Sequence, residues 1–177
     1  MLVNKTNKVD SNYVPDNLVI TDSLYKDNIY LNDKCYDMFK KMQEDMELLG
    51  YNIDIMSGYR DYKYQEKIYN KLIHEKGLSY ASRSIASPGS SEHQTGLAID
   101  VCIYKDNKCY IEHDVIDMEE VKWIHNNMHK YGFILRYPFD KEEITGYNYE
   151  PWHIRYVGEI AEYLYKNNLT LEEYYYL

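Results

Sequence analysis

The sequence lacks any apolar run of the roughly 18–20 residues that a membrane-spanning helix needs, so no helical span is expected. Its opening stretch, MLVNKTNKVDSNYVPDN, is too polar for a signal peptide or an anchor, which makes a cytoplasmic address the expectation. A piece cut downstream of an anchor would read the same way. Basic charge is also short. Twenty Lys and Arg against 29 Asp and Glu leave a net charge of −9, with no basic stripe to displace phosphate counterions, so no nucleic-acid partner is expected. Three cysteines, Cys35, Cys102 and Cys109, are too few for a disulfide framework and match no zinc-ribbon spacing. Lys105-Asp106-Asn107-Lys108 reads as a hairpin turn. A two-residue turn at Asp106-Asn107 sets Cys109 opposite Tyr104, not Cys102, so reduced, packed thiols are expected.

Repeats, low-complexity tracts and long linkers are absent too, so residues 1–177 read as a single domain with one core. The chain is 45% hydrophobic and 28% charged, an ordinary globular balance that argues against disorder. Its 22 tyrosines are scattered among charges, which suits amphipathic surfaces and substrate-facing walls.

Periodicity supplies the elements. Met38, Met42, Met46 and Leu49 recur at helical spacing over residues 33–49, and Gly50 stops the helix. Residues 53–56 read as a strand. Residues 61–76 read as a helix with Tyr64, Ile68, Leu72 and Ile73 apolar, and Gly77 ends it. The serine-rich stretch 82–92 with Pro88-Gly89 is a loop, and residues 97–103 alternate as a strand. Asp117 to Glu120 fits a capping box for a helix reaching Tyr131 and ending at Gly132. Strands follow at 133–137 and 152–157, then helices at 158–167 and 170–176, the last capped by Thr170 and Glu173. The class is α+β: a small antiparallel sheet with helices packed mainly on one face.

Among six histidines, His74, His125 and His129 sit beside Lys and Asn on helix surfaces, and His113 follows Glu112 in a loop. His93 and His153 have different neighbours. His93 stands in Ser91-Glu92-His93-Gln94-Thr95-Gly96-Leu97-Ala98-Ile99-Asp100. A straight strand would separate His93 from Asp100 by roughly 23 Å, and a helix by about 10.5 Å. A shared metal therefore requires a turn, and Thr95-Gly96 is the place for it. Asp100 lies within an apolar strand whose Leu97, Ile99 and Val101 face the core. A metal ion is one partner that would make it affordable.

The second cluster is Tyr149-Glu150-Pro151-Trp152-His153-Ile154-Arg155-Tyr156. A regular strand would point Glu150 and His153 to opposite faces, but Pro151 permits a bend that brings them together. Two His and one carboxylate leave a metal position open to water, and Glu150 beside it would serve as base. Spacing alone supports a salt-bridged Glu150 and a buried His153 equally well. Arg60, after Ser57-Gly58-Tyr59 and before a helix, is the candidate for holding developing negative charge. Gln65, a turn further on, could hydrogen-bond a substrate terminus.

Together these blocks resemble the zinc D,D-peptidases of the VanY and VanX kind. With Tyr131-Gly132-Phe133-Ile134-Leu135-Arg136-Tyr137-Pro138, Arg155-Tyr156-Val157-Gly158 and Thr170-Leu171-Glu172-Glu173-Tyr174 added, the chain is similar to the bifunctional VanXY-type dipeptidase/carboxypeptidases of vancomycin resistance. The resemblance implies one zinc on His93, Asp100 and His153, on the open face of the sheet, with Glu150 as base and Arg60 stabilising the transition state. Gln65, Ser91, Tyr59 and Trp152 would place the peptide. The implied substrates are D-Ala-D-Ala and peptidoglycan precursors ending in it, handled by a monomer or homodimer. Ser57 departs from an acidic residue of some relatives, which bears on substrate length. Rival readings are an L,D-carboxypeptidase or cell-wall endopeptidase on the same scaffold, and a zinc-bearing module that binds cell-wall peptides without cutting them.

Overall fold

The computed structural model describes residues 1–111 and 115–176. Its first elements are a two-stranded antiparallel ribbon, β1 (Leu18–Ile20) and β2 (Tyr30–Asn32), leading into helix α1 (Asp33–Glu47). Asn32 starts that helix because its side-chain oxygen accepts the Cys35 N–H at 3.3 Å. Strand β3 (Ile53–Ser57) follows, then helices α2 (Tyr62–Lys76) and α3 (Leu78–Ser84). Strands β4 (Ala98–Lys105) and β5 (Lys108–Tyr110) form a hairpin, with Asp106 and Asn107 both at positive φ as a two-residue turn demands. After it come α4 (Glu119–Asn127), β6 (Phe133–Leu135), α5 (Glu142–Thr145), β7 (His153–Tyr156), α6 (Ala161–Asn167) and α7 (Leu171–Tyr176). The main sheet is antiparallel in the order β3-β4-β7-β6, with β5 on β4, and the fold is α+β as expected.

The pleat of β4 decides which face does what. Ile99, Val101 and Ile103 meet Cys35, Phe39, Met42 and Met46 of α1, together with Val121 and Ile124 of α4. At ~1.5–3 kcal/mol for each fully buried side chain of this kind, that face is committed to the core. Residues one step along the strand, Asp100 among them, must then face the other way. A smaller cluster, Ile134 with Ala161, Leu164 and Leu171, anchors α6 and α7.

Several local expectations changed. Cys102 and Cys109 are bridged, not reduced. Cys109 does pair with Tyr104 as the turn predicts, but Cys102 lies diagonally on the same face, and the Cα atoms are 5.3 Å apart, within reach of a bridge. Cys35 is the free thiol, and burial pushes its pKa far up. Residues 82–84 belong to α3, not to a loop, and β1, β2 and α5 are too short for periodicity to reveal. α4 begins after Met118 with no side-chain cap, so the Asp117 box does not form. Leu49 lies beyond the end of α1 and is exposed, whereas Phe39 takes its place in the core. Thr170 and Glu173 do cap α7 reciprocally, at 2.8 and 3.1 Å. His113 lies outside the described residues. No helix among the described residues is long and apolar enough to cross a membrane.

Candidate metal centre

Asp100 on β4 is directly paired with His153 on β7, so the sheet register itself sets these two side chains side by side. His93 arrives from a 3-10 turn, Glu92–Thr95, that ends at Gly96 with φ +69°. That left-handed glycine is the bend the His93-to-Asp100 spacing demanded, and its carbonyl accepts the Asn32 N–H at 2.9 Å. The second required bend is also present. The His153 N–H donates to the Glu150 carbonyl at 3.2 Å, so the chain turns through Pro151 and Trp152 before β7 begins.

The three side chains offer ligand atoms that all lie within 4.8 Å of one another. His93 Nε2 is 3.3 Å from Asp100 Oδ2, and His153 Nδ1 is 3.3 Å from Asp100 Oδ1. These two separations run to different oxygens of Asp100, and a small closure of the three side chains brings one atom from each to the ~3.3 Å spacing of ligands around a tetrahedral ion. The tautomer of His93 is set from behind, because its Nδ1 donates to the Gly58 carbonyl at 2.7 Å. Position 58 must be glycine for this carbonyl to sit there, since a Cβ would fall 2.5 Å from the Tyr30 carbonyl oxygen. His93 Nε2 is buried with no hydrogen-bond partner, which an apolar core would not tolerate and a metal would satisfy. The donor set and the orphaned nitrogen both fit a divalent ion of the zinc kind.

Glu150 lies on the rim, its Oε2 3.5 Å from His153 Nδ1. Arg60 projects its Nη2 to 3.8 Å from Asp100 Oδ2, and its Nε is buried without a partner. A cleft of about 170 Å³ opens over these groups, walled by Arg60, Gln65, Ser91, Glu150 and Trp152. α2 turns Gln65 inward along with Ile68, Leu72 and Ile73, which are half-buried, while Tyr64 stays out: Gln65 is 1% exposed and Tyr64 49%. Gln65 Nε2 donates to the Ala86 carbonyl at 2.7 Å, leaving Oε1 buried and unpartnered. Tyr59 is not part of this wall. It lines a neighbouring depression with Met56 and Asp61, because its N–H is tied to the Tyr30 carbonyl at 2.7 Å.

Sequence reasoning missed three residues here. Tyr137 packs its ring 4.8 Å from His153, Tyr147 lines the cleft with a buried hydroxyl lacking a partner, and Glu92 is fully buried behind the histidines. A signal for Glu92 existed: Arg136 and Arg155 stand in apolar strand sequence, and a buried guanidinium demands a buried carboxylate. His125, read as a solvated surface residue, is half-buried, with Nε2 2.8 Å from the Pro151 carbonyl oxygen.

The protein groups alone set contrasting proton affinities. Burial and then Arg60 depress His93 to about 4, against the pull of Asp100. Burial also works to lower His153, but Asp100, Glu92 and Glu150 outweigh it and raise the ring to about 9. Burial works to raise Asp100, yet His93 and His153 hold it well below the usual carboxylate range. Glu92 is likewise held low by Arg136 and Arg155 against its own burial.

Comparison with known proteins agrees with this geometry. The profile of the VanY family, described as D-alanyl-D-alanine carboxypeptidase, matches residues 28–159. The chain is 41% identical over 180 residues to the putative carboxypeptidase YodJ of Bacillus subtilis (strain 168), covering 98% of this chain and 66% of that protein. It thus spans just under two thirds of that relative. It is 37% identical to VanXYC of Enterococcus gallinarum, a bifunctional D-Ala-D-Ala dipeptidase and carboxypeptidase, over 98% of this chain and 92% of that one. Among solved structures it is similar to the LdcB LD-carboxypeptidase, with TM-score 0.92, 41% identity, and 99% and 84% of the two chains covered. It is similar also to a mutant of the D,D-pentapeptidase VanY from a VanB-type resistance cassette, in complex with Zn(II). There the TM-score is 0.84 at 32% identity, covering 99% and 97%.

Proposed function

The chain belongs to the VanY family of D-alanyl-D-alanine carboxypeptidases, and from that premise we propose that it hydrolyses the terminal D-Ala-D-Ala bond of peptidoglycan precursors, or of the free dipeptide, with one zinc ion. The observation that carries this reading is the convergence of His93, Asp100 and His153 with Glu150 3.5 Å from His153. A zinc ion held by the three ligands would acidify a water and polarise the scissile carbonyl. Glu150, on the rim 3.5 Å from His153, would take a proton from that water and return it to the leaving amine. Arg60, on the cleft wall with Nη2 3.8 Å from Asp100, would stabilise the developing negative charge, and its unpartnered Nε is a donor ready for an oxygen. Ser91, Trp152 and the free Oε1 of Gln65 hold the peptide in register.

A module that only binds peptides has no use for a carboxylate and a guanidinium at the metal rim, so catalysis is favoured over bare recognition. Among activities, an L,D-carboxypeptidase is the second reading, supported by the likeness to LdcB. The metal chemistry would be the same, because specificity lies in the contacts of the cleft. A role in glycopeptide resistance depends on the D,D reading. The deciding assay measures D-alanine release from D-Ala-D-Ala, from a pentapeptide precursor and from a tetrapeptide precursor, with and without chelator. Chelator-sensitive release from the first two supports the D,D reading. Turnover of the tetrapeptide alone sinks it, and chelator-resistant turnover sinks the zinc mechanism.

A further inference from the structure

We propose that Glu92 is the positioning residue of His153, holding that ring with Nε2–H turned to a carboxylate and the Nδ1 lone pair turned to the metal position. The inference rests on the proposed zinc site, and it assigns a role to a residue that the reaction itself does not use.

A metal-ligating imidazole gives one nitrogen to the metal and donates its other N–H to an acceptor that fixes tautomer and ring plane. For His93 that acceptor is the Gly58 carbonyl. For His153, Nδ1 faces Asp100 and Glu150, so Nε2 is the nitrogen that needs an acceptor. Nε2 is buried with no hydrogen-bond partner, and so is Glu92 Oε2, which lies 3.7 Å away. Closing that gap to hydrogen-bond length takes a shift of about 1 Å.

The surroundings of Glu92 show how it is held. Its other oxygen, Oε1, takes both cations: Arg136 Nε at 2.8 Å and Arg155 Nη1 at 2.9 Å. Arg136 is in turn forked onto Glu172 of α7 at 2.6 and 2.8 Å, and Arg155 Nη2 donates to the Met1 carbonyl at 2.9 Å. A carboxylate serving only to neutralise two guanidiniums would engage both oxygens. Leaving Oε2 buried and unpaired is costly unless it has its own donor. Among the described residues, the donor facing that oxygen without a partner of its own is His153 Nε2. Consecutive residues of one 3-10 turn thus do two jobs: His93 supplies a ligand and Glu92 orients the ligand on β7.

The test compares wild type with Glu92→Ala and Glu92→Gln, by zinc affinity under chelator competition and by ¹⁵N shifts of the His153 ring in zinc-loaded protein. Wild type should show Nε2 protonated and Nδ1 metal-bound. Glu92→Ala should bind zinc about 10–100-fold more weakly, and Glu92→Gln, whose single amide oxygen is held by Arg136 and Arg155 so that its NH2 faces the His153 N–H, should lose as much. A folded Glu92→Ala protein with wild-type affinity and shifts would reduce Glu92 to charge balance and overturn the inference. If neither variant folds, the wild-type spectrum decides alone, since zinc on Nε2 of His153 contradicts the assignment. Wild type that binds zinc through Nδ1 yet releases no D-alanine would sink the proposed function and leave this inference standing.

Discussion

Zinc binding at this centre should be strongly pH-dependent, and one residue sets the slope. His153 is raised to about 9, since Asp100, Glu92 and Glu150 outweigh the burial that works to lower it. A metal takes only the neutral imidazole. At pH 7, about two units below that value, about one ring in a hundred is neutral, so apparent affinity is on the order of 100-fold below its high-pH limit, or about 3 kcal/mol. Each unit of pH between about 6 and 9 should strengthen binding about tenfold. His93, depressed to about 4, imposes no competing proton in that range. The measurement is a zinc titration against a calibrated chelator at pH 6, 7, 8 and 9. Calorimetry in buffers of different ionisation heat would count the proton His153 releases. An affinity that changes less than about threefold from pH 6 to 8 would refute the reasoning. The sign for chelator-treated protein is opposite. A raised folded-state value gives stability that is complete below the unfolded value near ~6.5 and is lost as pH rises through about 9. His93 acts in its own window, costing stability as pH falls from ~6.5 towards 4.

Glu150→Ala should retain zinc by elemental analysis while turnover falls by at least ~10²–10⁴-fold, whereas His153→Ala should lose the metal as well. Gly96→Ala forces a side chain to φ +69° and sets its Cβ 2.8 Å from Leu18 Cδ2. A loss of about 1–3 kcal/mol in denaturant unfolding is expected, together with weaker zinc binding because that turn sets His93 against Asp100. Protein isolated from an oxidising compartment and unfolded without reductant should expose one reactive thiol, that of Cys35, and three after reduction. Three thiols before reduction would return Cys102 and Cys109 to the reduced state that the sequence suggests and a cytoplasmic address favours.

Much of the site was legible because its chemistry is local. The S-E-H-Q-T-G-L-A-I-D run carries two candidate ligands and the bend between them, and the E-P-W-H run carries a third candidate ligand, the candidate base and a second bend. Both bends follow from residue types, a glycine at positive φ and a proline that breaks strand pairing. The Thr170–Glu173 cap was legible for the same reason, since both partners lie within one turn. What failed was non-local. The helix period sets Gln65 on one face with Ile68 and Leu72, but whether that amide or Tyr64 is buried beside them depends on what packs against α2, and it is Gln65. Tyr59, two residues from the Ser57 that pairs with Asp100, was drawn away from the cleft by a hydrogen bond to β2, a strand too short to foresee.

The sequence by itself determined the candidate donor residues, the strand that alternates between the core and the opposite face, and the two turns without which His93, Asp100 and His153 could not meet. Only the tertiary structure decided that β4 and β7 pair with Asp100 opposite His153. It alone decided also that Cys102 bridges Cys109 across a diagonal, and that Glu92, Arg136, Arg155 and Glu172 form one buried charge network behind the histidines. The physical reason is the same in each case. Turn chemistry and pleat alternation are encoded within a few residues, whereas register between distant strands, and the partner a buried charge finds, depend on segments far apart in the chain.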